Sequence, residues 1–314
     1  MTSPTTVNVR KRSYMQRLIS DVIRDRWLYL LLVPGVVYFV IFRYGPMYGL
    51  RIAFQDYNLY KPEASPWVGF DQFVKLFASF SFPNALRNTL TISVSKLIVG
   101  FPVPIILALL MNEFRSTAYK RVVQTLLYLP HFISWVIMAG LVMSFLSPSS
   151  GLINEAIALL GGTKVDFLTS RTLFVPTLVL TDVYKSMGWG TIIYFAAISG
   201  VDAEQYEAAI IDGANRFKQA LYITLPSIRS TIVVVFIINL GNILNAGFDQ
   251  VFMLYNPLVY EVGDIIDTLV YRKGIVETNY SFSAAAGMFK SVVALILIVG
   301  SNTIVKRIGE QGIW

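Results

Sequence analysis

The chain has 314 residues, of which 55% are hydrophobic and only 14% charged, against about a quarter charged in soluble domains. That balance excludes an ordinary soluble domain and indicates a polytopic membrane protein. The absence of cysteine and the single histidine, His131, exclude disulfide frameworks, thiolate chemistry and a zinc cage. In so apolar a chain the net charge of +7 records membrane orientation, not nucleic-acid binding.

A bilayer-crossing helix needs about 20 mostly apolar residues. Taken in chain order, the segments 27–42, 87–111, 122–146, 173–199, 231–255 and 283–305 qualify, which predicts an all-α integral membrane protein of six transmembrane helices. The basic opening segment 1–26 precedes an apolar run as a signal peptide does. No small-residue cleavage pattern follows, so 27–42 reads as an uncleaved first span in spite of Pro34. Segments 1–26, 112–121, 200–230 and 306–314 together carry fourteen Lys and Arg, whereas the loops 43–83, 147–172 and 256–282 carry eight. The positive-inside rule therefore predicts a cytoplasmic segment 1–26, a membrane domain 27–305 whose 200–230 loop is cytoplasmic, and a cytoplasmic tail 306–314. The opposite face bears long loops rich in Tyr, Phe, Pro and Gly, large enough to dock a partner.

Ionisable groups inside spans are costly and face a cavity or a partner. Asp182, Lys185 and Trp189 stand at spacing 0, 3 and 7 in TDVYKSMGWG and share one helical face, with Ser186 beside them. Asp182 and Lys185 either neutralise each other as an i, i+3 pair or line a path. Lys96 and Lys290 lie in or near spans, where a lysine snorkels or pairs with lipid phosphate. Trp135 and the cluster Tyr44, Tyr48, Trp67 and Phe70 suit the membrane interface or loop packing. There is no GxxxxGK[ST] phosphate loop, GGTK at 161–164 lacks its glycine spacing, and no catalytic motif surrounds His131. The sequence thus predicts no enzyme, no cofactor and no metal on this chain.

Between the fourth and fifth predicted spans the chain reads VDAEQYEAAIIDGANRFKQALYITLPSIRS. Tyr206, Ile210, Phe217 and Leu221 form an apolar stripe, and Ala208, Ala209, Gly213 and Ala214 keep the adjoining faces thin. Gly213 suits a bend between two short helices, and Pro226 ends the second or opens the next span. Glu-Ala-Ala, three residues, Gly, nine residues and Ile-x-Leu-Pro resembles the EAA loop of ABC importer permeases. Glu207, Ala208, Ala209, Gly213, Ile223, Leu225 and Pro226 fill its positions, and Asp212 and Ala214 match the common DGA form. PGVVYFVIFRYGPMYGLRIAFQDY, ALRNTLTISV, LLYLPHFISWVIM and ILNAGFDQVFMLYNPLVYEVGDIIDTLVYR extend the resemblance to permeases of binding-protein-dependent oligosaccharide importers, nearest the branch serving polysaccharide fragments such as pectin pieces or alginate.

The resemblance implies the type I ABC importer arrangement in a bacterial inner membrane, with the EAA loop as a coupling helix and Glu207 pairing with a basic residue of an ATP-binding subunit. It implies a homologous second permease in a heteropair, two ATP-binding subunits that hold ATP and Mg, and an external solute-binding protein. It also implies a substrate path lined from the helices flanking the loop: Asp182, Lys185, Ser186 and Trp189 before it, and Asn239, Asn242, Asn245 and Asp249 at spacing 0, 3, 6 and 10 after it. Trp189 would stack on a sugar ring, and Lys185 would meet a carboxylated sugar. The Asn residues equally suit hydrogen bonding between helices. The other readings are an ion-coupled secondary transporter, an ABC permease for a non-sugar solute, and a membrane sensor.

Overall fold

The computed structural model describes residues 15, 21, 23–114, 116–307, 309 and 312. Most of the basic segment expected over 1–26, and part of the tail expected over 306–314, lie outside them. The chain divides into two compact units, Met1–Ile52 and Ala53–Trp314. In the first, α1 (Arg26–Phe39) runs through Pro34 into a wide π turn, Val40–Tyr44, just ahead of Gly45 and Pro46. A proline ring excludes the carbonyl four residues back and donates no N–H, so the turn before it opens.

The second unit contains α2 (Asp71–Ala78), α3 (Ser81–Gly100), α4 (Pro102–Asn112), α5 (Thr117–Phe132), α6 (Trp135–Leu146), α7 (Leu152–Leu159) and α8 (Phe174–Ser199). It continues with α9 (Ala203–Ile211), α10 (Arg216–Gln219), α11 (Arg229–Gly241), α12 (Phe248–Leu254), α13 (Ile266–Tyr271) and α14 (Tyr280–Arg307). Among the described residues the only β pairing is an isolated bridge between Gln55 and Trp67. Helix α8 is the hub and packs against α3, α4 and α5; α11 lies on α14, and α12 on α6. A buried cluster of Ile92, Met138, Phe174, Leu178, Val251 and Leu254 fastens α3, α6, α8 and α12 together. In a bilayer such packing gains dispersion contacts more than a hydrophobic driving force.

Three helical stretches, Arg26–Phe54, Ser81–Asn112 and Tyr280–Arg307, are long and apolar enough to cross a membrane, and two bent helix pairs raise the number to five. Helix α8, with 26 residues, is about 39 Å long and so has the length, but Asp182 and Lys185 interrupt its apolar run.

Two of the expected spans are broken. Segment 122–146 bends by 101° between α5 and α6. Pro130 sits in the last turn of α5, and Ser134 restarts the chain as the N-cap of α6, its hydroxyl accepting from Ile137 N at 3.4 Å. Segment 231–255 stops being helical after Gly241, and α12 begins only after Gly247, which has φ +90°. The first break leaves mean hydropathy almost unchanged, because its corner, Ile133 and Ser134, joins two apolar runs.

Candidate functional site

A cavity of about 510 Å³ opens between α3, α4, α8, α11 and the non-helical segment 242–247. Asp182, Ser186 and Trp189 of α8 line it together with Asn239, Asn242 and Asn245. Asp249 does not: the 0, 3, 6, 10 spacing presumes a continuous helix, and the break at 242–247 places Asp249 in the first turn of α12, exposed and away from the lining. Asn239 and Asn242 each donate one amide hydrogen back to their own helix, to Val235 O at 2.8 Å and Ile238 O at 3.1 Å. Their carbonyl oxygens remain as acceptors for hydroxyl donors.

Asp182 and Lys185 do not pair with each other. Asp182 Oδ1 accepts from Lys96 Nζ of α3 at 3.1 Å, and the same ammonium donates to Ala246 O at 2.8 Å and Gln250 Oε1 at 2.5 Å. All three of its protons are thereby used. Gln250 is fully buried and donates in turn to Leu178 O at 2.7 Å and Thr181 Oγ1 at 2.8 Å. Lys96 thus ties α3, α8 and the turn before α12 at one point. Gly247 allows it: a Cβ there would stand 3.1 Å from Lys96 Nζ, and the positive φ already disfavours any side chain.

Lys185 turns the other way. Its ammonium donates to Pro130 O at 3.3 Å, His131 O at 2.7 Å and Ile133 O at 2.6 Å, capping the last carbonyls of α5 at the 101° corner, where a cation also meets the negative end of the helix dipole. It is absent from the cavity lining, so the cation presented there is Lys96, which the sequence marked only as an intramembrane lysine. Pro130 O also accepts from Ile133 N, so replacing Lys185 by methionine removes the side-chain donor chiefly from His131 O and Ile133 O and is expected to cost about 1–3 kcal/mol. The check is the thermal unfolding midpoint of the assembled protein, which should fall; an unchanged midpoint removes Lys185 from this role.

Next to it the His131 ring stacks on Trp189 with centroids 4.6 Å apart at 4°, and Phe132 meets Trp189 edge-on at 5.9 Å. The histidine is a packing element for the cavity tryptophan. Two further lining residues escaped sequence reasoning. Ser93 has a buried hydroxyl without a hydrogen-bond partner among the described residues, and Tyr194 is an almost wholly buried aromatic of α8. Neither breaks an apolar pattern strongly enough to be noticed.

The 200–230 loop is a pair of helices bent at Gly213. Asp202 caps α9 by accepting from Glu204 N at 3.0 Å, and Asn215 caps α10 by accepting from Lys218 N at 2.9 Å. Between them Gly213 takes φ +75°, and Ala214 N reaches back to Ala209 O at 2.8 Å, a left-handed helix stop. The continuation Ala220–Thr224 is a second π turn, again two residues ahead of a proline, Pro226. Tyr206 OH and Thr224 Oγ1 are 2.9 Å apart and hold the two arms together, and Arg216 pairs with Glu113 at the end of α4. Glu207, Ala208, Asp212 and Pro226 are exposed, whereas Ala209, Ala214, Ile223 and Leu225 are half-buried. Ile210, Ile211, Phe217 and Tyr222 expose 62%, 87%, 75% and 72% of their surface, apolar area left uncovered among the described residues.

A bent-helix membrane bundle around a largely apolar cavity that carries a row of polar side chains, with a bent helix pair at one connection, is the architecture of a solute permease. The chain belongs to the family of binding-protein-dependent transport system inner membrane components, whose model matches residues 100–310. It is 49% identical to protein LplB of Bacillus subtilis over 93% of this chain and 92% of the relative. It is 45% identical to the polygalacturonan/rhamnogalacturonan transport system permease protein YteP of the same organism, over 97% and 95%. Its fold superposes with a TM-score of 0.87 at 44% identity, covering 95% of this chain and 100% of the other, on a chain from the crystal structure of a bacterial alginate ABC transporter in complex with alginate pentasaccharide-bound periplasmic protein. The chain is thus an inner-membrane permease subunit of an ABC importer.

Proposed function

We propose that this chain forms half of the translocation path for uronate-containing oligosaccharides, the class that the names of its pectin- and alginate-transporting relatives indicate. The observation that carries the reading is the meeting of Trp189, Asp182 and Ser186 from the helix before the EAA loop with Asn239, Asn242 and Asn245 from the segment after it, around one cavity. An aromatic ring offers its face to the apolar face of a sugar, and amide and carboxylate oxygens accept from its hydroxyls. The one cation and one anion of the lining, Lys96 and Asp182, are paired, so the cavity passes a uronate without selecting for its charge; selection belongs to the external solute-binding protein.

In this reading six membrane helices, with both termini cytoplasmic, pair with a homologous second permease. Two ATP-binding subunits holding ATP and Mg dock below, on the EAA helix pair. Glu207, with Ala208, Ala209, Asp212, Gly213, Ala214, Ile223, Leu225 and Pro226, forms the coupling element, and the exposed Ile210, Ile211 and Phe217 supply its contact area. ATP-driven closure of those subunits moves the pair and turns the cavity from one face to the other. The test is uptake of labelled tetragalacturonate into proteoliposomes carrying all subunits and the binding protein. Uptake should require ATP; uptake driven by a proton gradient without ATP would replace this reading with a secondary transporter.

A second measurement isolates the coupling helix. A charge-assisted hydrogen bond is worth about 1.5–3 kcal/mol, so Glu207→Ala should weaken the ATP-binding subunit's attachment at least about tenfold. Glycan-stimulated ATP hydrolysis should fall in step while glycan binding to the solute-binding protein is unchanged. Full stimulation in the variant would remove Glu207 from the interface.

A further inference from the structure

Apart from the cavity, a concavity of about 450 Å³ lies between the segment 56–66 and the turn ahead of α14. Its lining includes Asp56, Tyr57, Tyr60, Lys61, Thr278 and Tyr280. Both walls are fixed. Tyr57 N donates to Ser281 Oγ at 2.9 Å, and the Tyr57 ring meets Tyr280 edge-on at 6.0 Å, so the two segments are stapled across the groove. Asn58 Oδ1 accepts from Tyr60 N at 2.9 Å, and Ser65 Oγ accepts from Asn58 N at 3.0 Å, which makes a tight turn of residues 58–65. On this turn Tyr60 stands 92% exposed.

Thr278 carries a second signal. It is the only non-glycine with a positive φ, +56°, among the described residues, and a β-branched side chain there is a genuine outlier. It stands just past the helical stretch 266–276, whose end Asn279 N closes by donating to Lys273 O at 2.8 Å, a left-handed stop that glycine ordinarily fills. Strained backbone of this kind concentrates at ligand clamps, and the inference runs from the outlier to a function. Asp56 and Lys61 form no ion pair among the described residues, so a carboxylate and an ammonium face the groove beside an uncovered ring. The volume suits a small molecule, whereas a lasting protein contact needs about 800 Å² on each side.

We propose that this groove is a sugar-ring subsite, with Tyr60 against the apolar face of the ring, Asp56 accepting from hydroxyls, and Lys61 meeting a hydroxyl or a uronate carboxylate. The proposal rests on the oligosaccharide reading above and adds to the membrane path a second contact point for the chain being imported.

The complete transporter in lipid nanodiscs, without ATP or solute-binding protein, is titrated with tetragalacturonate while hydrogen exchange at 56–61 and 278–280 is followed. Protection should appear in the wild type and persist in Trp189→Ala, which disables the membrane cavity. The midpoint should shift at least about tenfold in Tyr60→Ala and stay near wild type in Tyr60→Phe, which keeps the ring. No protection in the wild type, or the same midpoint in Tyr60→Ala, overturns the subsite. Protection by the solute-binding protein with no glycan present also overturns it, in favour of a protein contact. The uptake assay separates the two readings: ATP-dependent uptake without groove protection removes the subsite alone, and groove protection without uptake removes the transport reading alone.

Discussion

Lys96→Met should leave a transporter that assembles poorly and no longer answers glycan with ATP hydrolysis. The substitution keeps the length of the side chain and removes the one group that satisfies Asp182 Oδ1, Ala246 O and Gln250 Oε1 together. Breaking a buried ion pair from one side costs about 3–5 kcal/mol, because a charge is left without its partner. Asp182 retains 31% exposure to the cavity, so its share is screened and the lower end, about 3 kcal/mol, is expected. The buried oxygen of Gln250 has no such relief. A double variant, Lys96→Met with Asp182→Leu, removes both charges and should recover part of the loss in thermal stability, since an apolar pair of similar volume is tolerated where a lone charge is not. Glycan-stimulated hydrolysis should not recover with it, because the turn carrying Asn245 and Ala246 has lost its anchor. If the double variant is no more stable than the single one, the anchoring bond is the one to the Ala246 carbonyl and not the one to Asp182.

That network also marks how far the sequence could be read. The bend of the 200–230 helix pair was legible because its signals are local: an Asp cap, a glycine at the bend, a second cap and a proline lie within one loop. The cavity face of α8 was legible for the same reason, since one uninterrupted helix fixes the spacing from Asp182 to Trp189. Lys185 was assigned to the wrong surroundings because its partners are carbonyls of α5, more than fifty residues away, and nothing in the chain announces a carbonyl as a ligand. Asp182 lines the cavity as one of its two readings expected, and only the alternative pairing with Lys185 fails, its partner Lys96 lying 86 residues back on α3. Asp249 left the stripe because a six-residue break shifts helical phase. Periodicity carries within a helix, and the broken spans end that coherence.

Gly188→Val should prevent assembly outright. A Cβ at this position would run into the backbone of α5, at the carbonyl of Leu127 and the nitrogen of Tyr128, so that no rotamer change relieves it. Gly190, two residues on, faces Pro104 of α4, whose ring carbons would stand 3.0 and 3.2 Å from a Cβ, with only a side chain in the way. The two glycines flanking Trp189 let α8 press against α5 and α4 while the tryptophan between them reaches the cavity, an arrangement of small residues that membrane helices use where backbones cross closely. Overpacking against side chains costs about 1–3 kcal/mol, and a collision with backbone has to separate the helices, so the penalty exceeds that range and displaces the stack on His131 as well. Gly140 in α6 and Gly287 in α14 provide the contrast, since a Cβ at either meets nothing within 4 Å. Alanine at those two positions should be neutral or stabilise its helix by up to about 1 kcal/mol. The measurement is the yield of intact complex by size exclusion, followed by its unfolding midpoint. Gly190→Ala should assemble with a reduced midpoint, Gly188→Val should give no complex, and an intact Gly188→Val complex would mean that α5 and α8 do not cross at this residue.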